Sequence, residues 1–327
     1  MPFPTVVLGA VRTPWARLLG SLSDVSAIEL GAAAVRAALK RAGIGPEAVQ
    51  HVVLGNVLAD GTSGHPAGAV CRAAGLPEGI SSLTLRSGCA SGLAAIAAAV
   101  DAVASGRAEV ALAGGFESSS RAPHLATGLR SGLRLGSASL RDSARHDGPV
   151  AGDPAPDEDR RRHAQADREG RLGREIAPVL RAKPPKGQEP ETATDDPPGS
   201  GAPLPALADG AAMLVLATAA WAEARGIQPL CRLSVSAEPL NEAGSHDQIH
   251  ADLPSDGWAA LAGRDGRRAP ASINPSGGGA ALGHAAGADG ARLAVSMAHA
   301  LAGGEAASAL AIAGGPFGAL VGVSGRR

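Results

Sequence analysis

Val110-Ala-Leu-Ala-Gly-Gly115, led in by Ala102-Val-Ala-Ser-Gly106, is echoed late in the chain by Ala300-Leu-Ala-Gly-Gly304 and Leu310-Ala-Ile-Ala-Gly-Gly315. In each copy a small-residue helix stops at glycine, a short link follows, and an apolar strand ends on paired glycines. Recurrence of this order about 200 residues on marks a duplicated α/β unit. Working outward from the first copy, Leu83–Leu85 has strand character and runs through Ser87-Gly-Cys-Ala-Ser-Gly92 into a helix over Leu93–Ala104. Thr5–Ala10 and Val52–Gly55 are short apolar runs of the buried-strand type. Between them Ser26-Ala-Ile-Glu29 has capping-box spacing, Ile28, Val35 and Leu39 share one helical face, and Gly43 stops the helix. The pattern predicts βαβ units and a largely parallel sheet covered on both faces, an α/β fold of two similar halves.

Residues 121–202 interrupt this pattern. They hold DEDRRRH (Asp157–His163) and the tract KPPKGQEPETATDDPPGSG, which reads as a peripheral excursion, helical around His163–Leu172 and otherwise loop. The charge run is expected to be a solvated face. Strand character resumes at Asp209–Leu216. The expected division is residues 1–120 with 203–225 as the first half, 121–202 as the excursion, and 226–327 as the second half.

Composition excludes several function classes. Thirty basic against 31 acidic residues give a net charge of −1, which provides neither a nucleic-acid footprint nor a polybasic membrane patch. Aromatics are 2 % with no Tyr, too few for platforms that stack single-stranded bases. Apolar residues at 45 % against charged ones at 19 % support a large core rather than disorder. Three cysteines fit a reducing compartment, and the first residues lack the layout of a signal peptide, so a cytoplasmic location is expected. No stretch has the apolar length of a membrane span, and no metal-ligand spacing or phosphate-loop fingerprint is found.

The residues best placed for chemistry follow from this framework. Cys89 sits where a strand gives way to a helix, among Gly88, Ser91 and Gly92. The positive end of a helix dipole favours a thiolate there, and small neighbours leave room for a substrate carbonyl. Cys71 and Cys231 lie in apolar contexts that suit inert core thiols. His284 lies among glycines ahead of a helix expected to start near Ala291, where it can act as a base toward a thiol. Ala313-Gly-Gly-Pro-Phe-Gly318 is a strand end whose backbone N–H groups can serve an oxyanion hole.

These pieces resemble the thiolase family. The matching segments, in family order, are GAVRTP (Gly9–Pro14), VVLGNVL (Val52–Leu58), GCASGLAAI (Gly88–Ile96), LAGGFESSSRAP (Leu112–Pro123), DGAAMLVL (Asp209–Leu216), NPSGGGAALGH (Asn274–His284) and AIAGGPFG (Ala311–Gly318). The resemblance implies a layered α-β-α-β-α arrangement of two halves with active-site loops between them and a loop domain as lid. It also implies coenzyme A thioesters as substrates, no separate cofactor, and a homodimer or homotetramer. Carried over by motif, Cys89 matches the nucleophile and His284 the histidine that activates it. The backbone at Cys89 and Ala313 matches the oxyanion hole.

The departures from the family pattern bear on activity. Thiolases place a second cysteine in the last motif to move the α-proton, and Ala311 stands at that position. Asn241 in Asn241-Glu-Ala-Gly244 resembles the Asn-Glu-Ala-Phe element that positions a water, without its Phe; Ser245-His-Asp-Gln248 echoes a subgroup's His-Asp-Cys-Phe. The excursion keeps DSARHDG (Asp142–Gly148) and EGRLGREIAPV (Glu169–Val179) but is shortened, which bears on CoA binding. Three readings follow: a thiolase-type acyltransferase, an acyl-transfer enzyme with weak or decarboxylative carbon–carbon chemistry, and a degenerate binding protein.

Overall fold

The computed structural model describes residues 3–148, 157–180, 191–198, 206–236, 246–252, 273–313 and 319–324. The strands are β1 Thr5–Arg12, β2 Ala16–Arg17, β3 His51–Gly55, β4 Ser81–Leu85, β5 Val110–Ser118, β6 His124–Ala126, β7 Leu140–Asp142, β8 Val179–Leu180, β9 Glu191–Thr192, β10 Ala208–Thr218, β11 Cys231–Ser236, β12 Gln248–Asp252, β13 Ser308–Ala313 and β14 Ala319–Ser324. The helices are α1 Ala27–Ala42, α2 Pro66–Ala74, α3 Ser91–Ala104, α4 Ser143–His146, α5 Asp157–Arg168, α6 Ala219–Glu223, α7 Gly279–Leu282 and α8 Asp289–Gly303.

Among the described residues ten strands form one mixed sheet in the order β12-β13-β14-β11-β1-β10-β5-β3-β4, with β2 paired to β10. The duplication is visible in that order. In the first set β1, β3, β4 and β5 run one way and β10 runs against them. In the second set β11, β12 and β13 share a direction and β14 opposes them. Ile273 bridges in parallel to Ile249 of β12, in the place that β4 takes beside β3. The two sets meet edge to edge, where β1 pairs antiparallel with β11 from Thr5–Leu233 to Val7–Cys231. The sheet is therefore mixed rather than largely parallel. A strand such as β10, buried on both faces along its length, carries no alternation that reports its direction.

Two apolar clusters flank the sheet. On one face α1 and α2 bury Leu30, Val35, Leu39 and Val70 against Val6, Val52, Leu54 and Leu112. Ser26 caps α1 by accepting from the Glu29 amide while Glu29 accepts from the Ser26 amide, and Gly43 ends the helix at φ +69. On the other face α3 and α8 bury Leu93, Ile96, Val100, Leu293, Met297 and Leu301 together with residues of both strand sets. Each such Leu contributes about 1.5–3 kcal/mol on full burial. The helix pair thus occupies the centre of the molecule, and the loops that carry Cys89 and His284 lead into its two N-termini.

The excursion is more ordered than a loop. It contains the hairpin-like pairs β6–β7 and β8–β9 as well as α4 and α5. Its charge run is also not wholly a solvated face: His163 is buried, and Arg162 donates to the Ile273 carbonyl. An ion cluster seals the excursion to β1. Arg12 bonds Glu175 at 3.1 Å and Asp195 at 2.7 Å, and Asp195 also accepts from the Trp15 amide at 2.7 Å. Burial opposes ionisation of Asp195, yet Arg12 holds its carboxyl below the usual range.

Candidate active site

Cys89 lies in the turn between β4 and α3. The Ala90 amide donates to Ser87 O (3.2 Å) and the Ser91 amide to Gly88 O (3.0 Å). Ser91 Oγ locks this turn by accepting from the Ser87 amide at 2.8 Å and donating to Gly88 O at 2.6 Å. Cys89 is partly exposed as a result, one residue ahead of Ala90, the N-cap of α3. Cys71 and Cys231 are buried, and burial pushes their thiols up to about 11 and about 12. Neither competes as a nucleophile at neutral pH.

His284 is fixed through its backbone and its ring. Its amide donates to Ala206 O (2.7 Å) and its carbonyl accepts from the Ala208 amide (3.0 Å), a short parallel bridge to the segment entering β10. Nε2 stands 2.8 Å from Cys89 Sγ. Nδ1 is paired with Oδ2 of Asp289, the first residue of α8, whose carboxylate is fully buried. Arg292, one turn on and equally buried, has Nε 3.7 Å from Asp289 Oδ1. Cys89, His284 and Asp289 thus form a continuous line of thiol, imidazole and carboxylate.

The approach of the two loops depends on small residues between the central helices. A Cβ added at Gly92 would stand 2.9 Å from the Ala291 amide nitrogen and from Gly287 O, and one at Gly290 would stand 2.7 Å from the Leu93 amide nitrogen. A second tie comes from Glu117 at the end of β5. Its buried carboxylate accepts from Asn56 Nδ2 (2.7 Å) and from the amides of Val57 (3.0 Å), Leu58 (3.1 Å) and Gly287 (2.9 Å). Gly287 belongs to the loop that carries His284, so Glu117 clamps that loop to the first half. Burial pushes the Glu117 carboxyl up to about 7, against the pull of its amide donors.

The structure therefore brings together Cys89 and His284, which the sequence singled out, and adds Asp289 and Glu117, which it did not. One signal for Asp289 was present: Asp289 and Arg292 are charged residues three apart in a helix otherwise buried among apolar groups. Asn241 lies outside the described residues. Ala313 ends β13 and is buried, while residues 314–318 of the expected oxyanion segment lie outside the described residues. Ala311 is buried in β13, in register with His250 of β12, whose imidazole is pushed down to about 4 by burial. Of the Ser245-His-Asp-Gln248 echo, Ser245 is outside the described residues and the rest is remote from the thiol. Asp247 accepts from the amides of Ala307 and Ser308 at the start of β13, the end opposite the N-terminus of α8. Among the described residues no group of three His, Cys, Asp or Glu side chains is arranged to hold a metal ion, and no helix is long and apolar enough to cross a membrane.

Comparison with known proteins bears on this arrangement. Residues 5–151 match the family model described as Thiolase, N-terminal domain. The chain is 32 % identical over 361 residues to an acetyl-CoA acetyltransferase of Pseudomonas aeruginosa, covering 90 % of this chain and 92 % of that protein. A probable acetyl-CoA acetyltransferase of Escherichia coli is 43 % identical over 143 residues, which span 44 % of this chain and 36 % of that relative. In three dimensions the fold is similar to a solved acetyl-CoA acetyltransferase from Syntrophomonas wolfei, with TM-score 0.83, 23 % identity and 99 % of each chain covered. With the duplicated strand order, the central helix pair and near full-length similarity in agreement, the chain belongs to the thiolase family.

Proposed function

We propose that the protein is a thiolase-type acyltransferase that takes an acyl group from a coenzyme A thioester onto Cys89. The observation that carries this reading is the 2.8 Å separation of His284 Nε2 from Cys89 Sγ in a partly exposed turn. In the first half-reaction Sγ gives its proton to Nε2 and bonds the thioester carbon. The oxyanion so formed accepts from backbone N–H groups, for which Cys89 and Ala313 are the candidates. Collapse breaks the bond to CoA sulfur, and Nε2 returns the proton to the leaving thiolate. In the second half-reaction the acyl group passes to CoA, a thiolysis, or to the α-carbon of an acyl-CoA, a Claisen condensation. Asn241 is proposed to hold a water in that step. The division into residues 1–120 with 203–225, 121–202 and 226–327 accompanies this reading. So do a homodimeric or homotetrameric state and, from three free thiols, a reducing cytoplasmic location.

Ala311 favours a narrower second reading, in which acyl transfer is retained and carbon–carbon chemistry is weak or decarboxylative. Alanine offers no proton to exchange at the α-carbon, and a missing acid/base group lowers rate by about 10²–10⁴. The test separates the half-reactions. Exchange of labelled CoA into acetyl-CoA reports acylation of Cys89, and thiolysis of acetoacetyl-CoA reports carbon–carbon cleavage. Exchange should be rapid and abolished by Cys89→Ala. Thiolysis should rise by about 10²–10⁴ in Ala311→Cys while exchange stays unchanged. Absence of exchange in the wild type would remove the proposed function.

A further inference from the structure

The line from Cys89 through His284 to Asp289 is the geometry of a nucleophile, a base and a carboxylate that orients the base. We propose that this triad gives the protein a second activity, hydrolysis of acyl-CoA thioesters, with Asp289 as the positioning residue that makes water the acceptor. The inference rests on acylation of Cys89 and goes beyond it in naming how the acyl group leaves. Asp289 Oδ2 stands against Nδ1, a placement that favours the ring proton on Nδ1 and leaves the Nε2 lone pair toward Sγ. Arg292, 3.7 Å away and buried, compensates the carboxylate charge when the imidazole is neutral.

Acylation removes the thiol proton, and once Nε2 has passed it to the departing CoA thiolate the ring can accept a hydrogen bond from water. A water bonded to Nε2 then sits within reach of the thioester carbon, since Nε2 and Sγ are 2.8 Å apart. Water gives one proton to Nε2 as its oxygen bonds the acyl carbon, and the carbonyl oxygen becomes the oxyanion. Asp289 stabilises the imidazolium formed at that moment, in a site too buried to solvate it well. Collapse breaks the carbon–sulfur bond, Sγ takes the proton from Nε2, and a carboxylic acid departs. No other reactant is needed. A carbon nucleophile, by contrast, requires a base at the α-carbon, and Ala311 stands at the position where one is expected.

The experiment follows acetyl-CoA with the full-length protein in water enriched in ¹⁸O. Labelled acetate is counted against acetoacetyl-CoA, because condensation with a second acetyl-CoA also releases CoA. The triad predicts continuous CoA release beyond one equivalent and acetate carrying one solvent oxygen. In single turnover, Asp289→Asn should slow decay of the acyl-enzyme about a hundredfold or more. Asp289→Glu should recover part of that loss. Both variants are expected to melt below wild type, because Arg292 is buried beside Asp289, and thermal unfolding shows that they are folded at the assay temperature. A burst of one equivalent of CoA followed by a persistent acyl-enzyme would overturn the hydrolysis and leave acyl transfer standing. Hydrolysis that a folded Asp289→Asn variant carries out at the wild-type rate would overturn the role of Asp289. If neither acyl-enzyme nor CoA release is observed, both this inference and the acyl-transfer reading fail. Should Asp289→Asn not fold, the wild-type contrast between a persistent acyl-enzyme and labelled acetate decides the hydrolysis, and the decay rate in Asp289→Glu decides the role of the carboxylate.

Discussion

Glu117 carries a conflict that a single side chain can test. Its carboxylate accepts from three amides and the Asn56 amide group, and these donors together with the charge of Arg86 favour the charged form. Full burial acts against the charge and prevails, raising the group from 4.5 to about 7. A carboxyl with a raised folded pKa stabilises the fold fully below its unfolded value and loses that contribution as pH rises through the folded value. The stability of the wild type relative to Glu117→Gln should therefore fall by on the order of 3 kcal/mol between pH 4.5 and 7, then level off. Urea unfolding of both proteins across that range measures it. A difference that stays level or rises only slightly over that range would mean that the amide donors prevail and Glu117 is ionised throughout. At this scale Cys89 and His284 were legible because a thiol and an imidazole sit in distinctive glycine-rich contexts. Glu117 was not, since its role depends on amides contributed by two distant loops.

The central elements are held at a separation that only small side chains permit. Gly92 of α3 and Gly290 of α8 face one another's backbones, and a methyl group at Gly92 would meet two backbone atoms at 2.9 Å. Backbone cannot yield as a side-chain tip does, so Gly92→Ala should destabilise by about 1–3 kcal/mol and push the Cys89 turn away from His284. Thermal unfolding would register the first effect and a slower reaction of Cys89 with acetyl-CoA the second. A fully stable variant acylating at the wild-type rate would show that the helices separate without consequence. The elements themselves were largely readable: the capping box and Gly43 bracket α1, and the strand-to-helix passage through Cys89 is where the sequence placed it. The antiparallel course of β10 was hidden because its partner β5 lies across the excursion, with no tight turn to set direction. Asp289 was hidden for a related reason. It returns to His284 only because Ala285–Ala288 form a turn, with the Asp289 amide donating to Ala285 O at 3.0 Å, and no helical spacing joins the two residues.

At the scale of the whole molecule, β4 is one edge of the sheet among the described residues, with β3 as its strand neighbour and Leu83 46 % exposed. An uncovered edge strand with an exposed apolar side chain invites pairing with a second copy about a two-fold axis. Light scattering at tens of micromolar should give at least a dimer, and Leu83→Lys should raise the monomer fraction; a strictly monomeric wild type would contradict this. β4 also leads directly into the Cys89 turn, so such a pairing would brace the thiol from outside. The duplicated architecture was visible in the two glycine-ended helix–strand units, whereas their junction through β1 and β11 was not, because edge-to-edge pairing leaves no local pattern. Everything proposed for this fold depends on whether the junction of its two halves makes Cys89 a nucleophile. The direct measurement is the intact mass of the protein quenched within milliseconds to seconds of mixing with acetyl-CoA, followed by peptide mapping. The account predicts one added acetyl group, located on Cys89, absent in Cys89→Ala and strongly delayed in His284→Ala. An unmodified protein at every time with no CoA released, or acetylation at Cys71 or Cys231 instead, would contradict it.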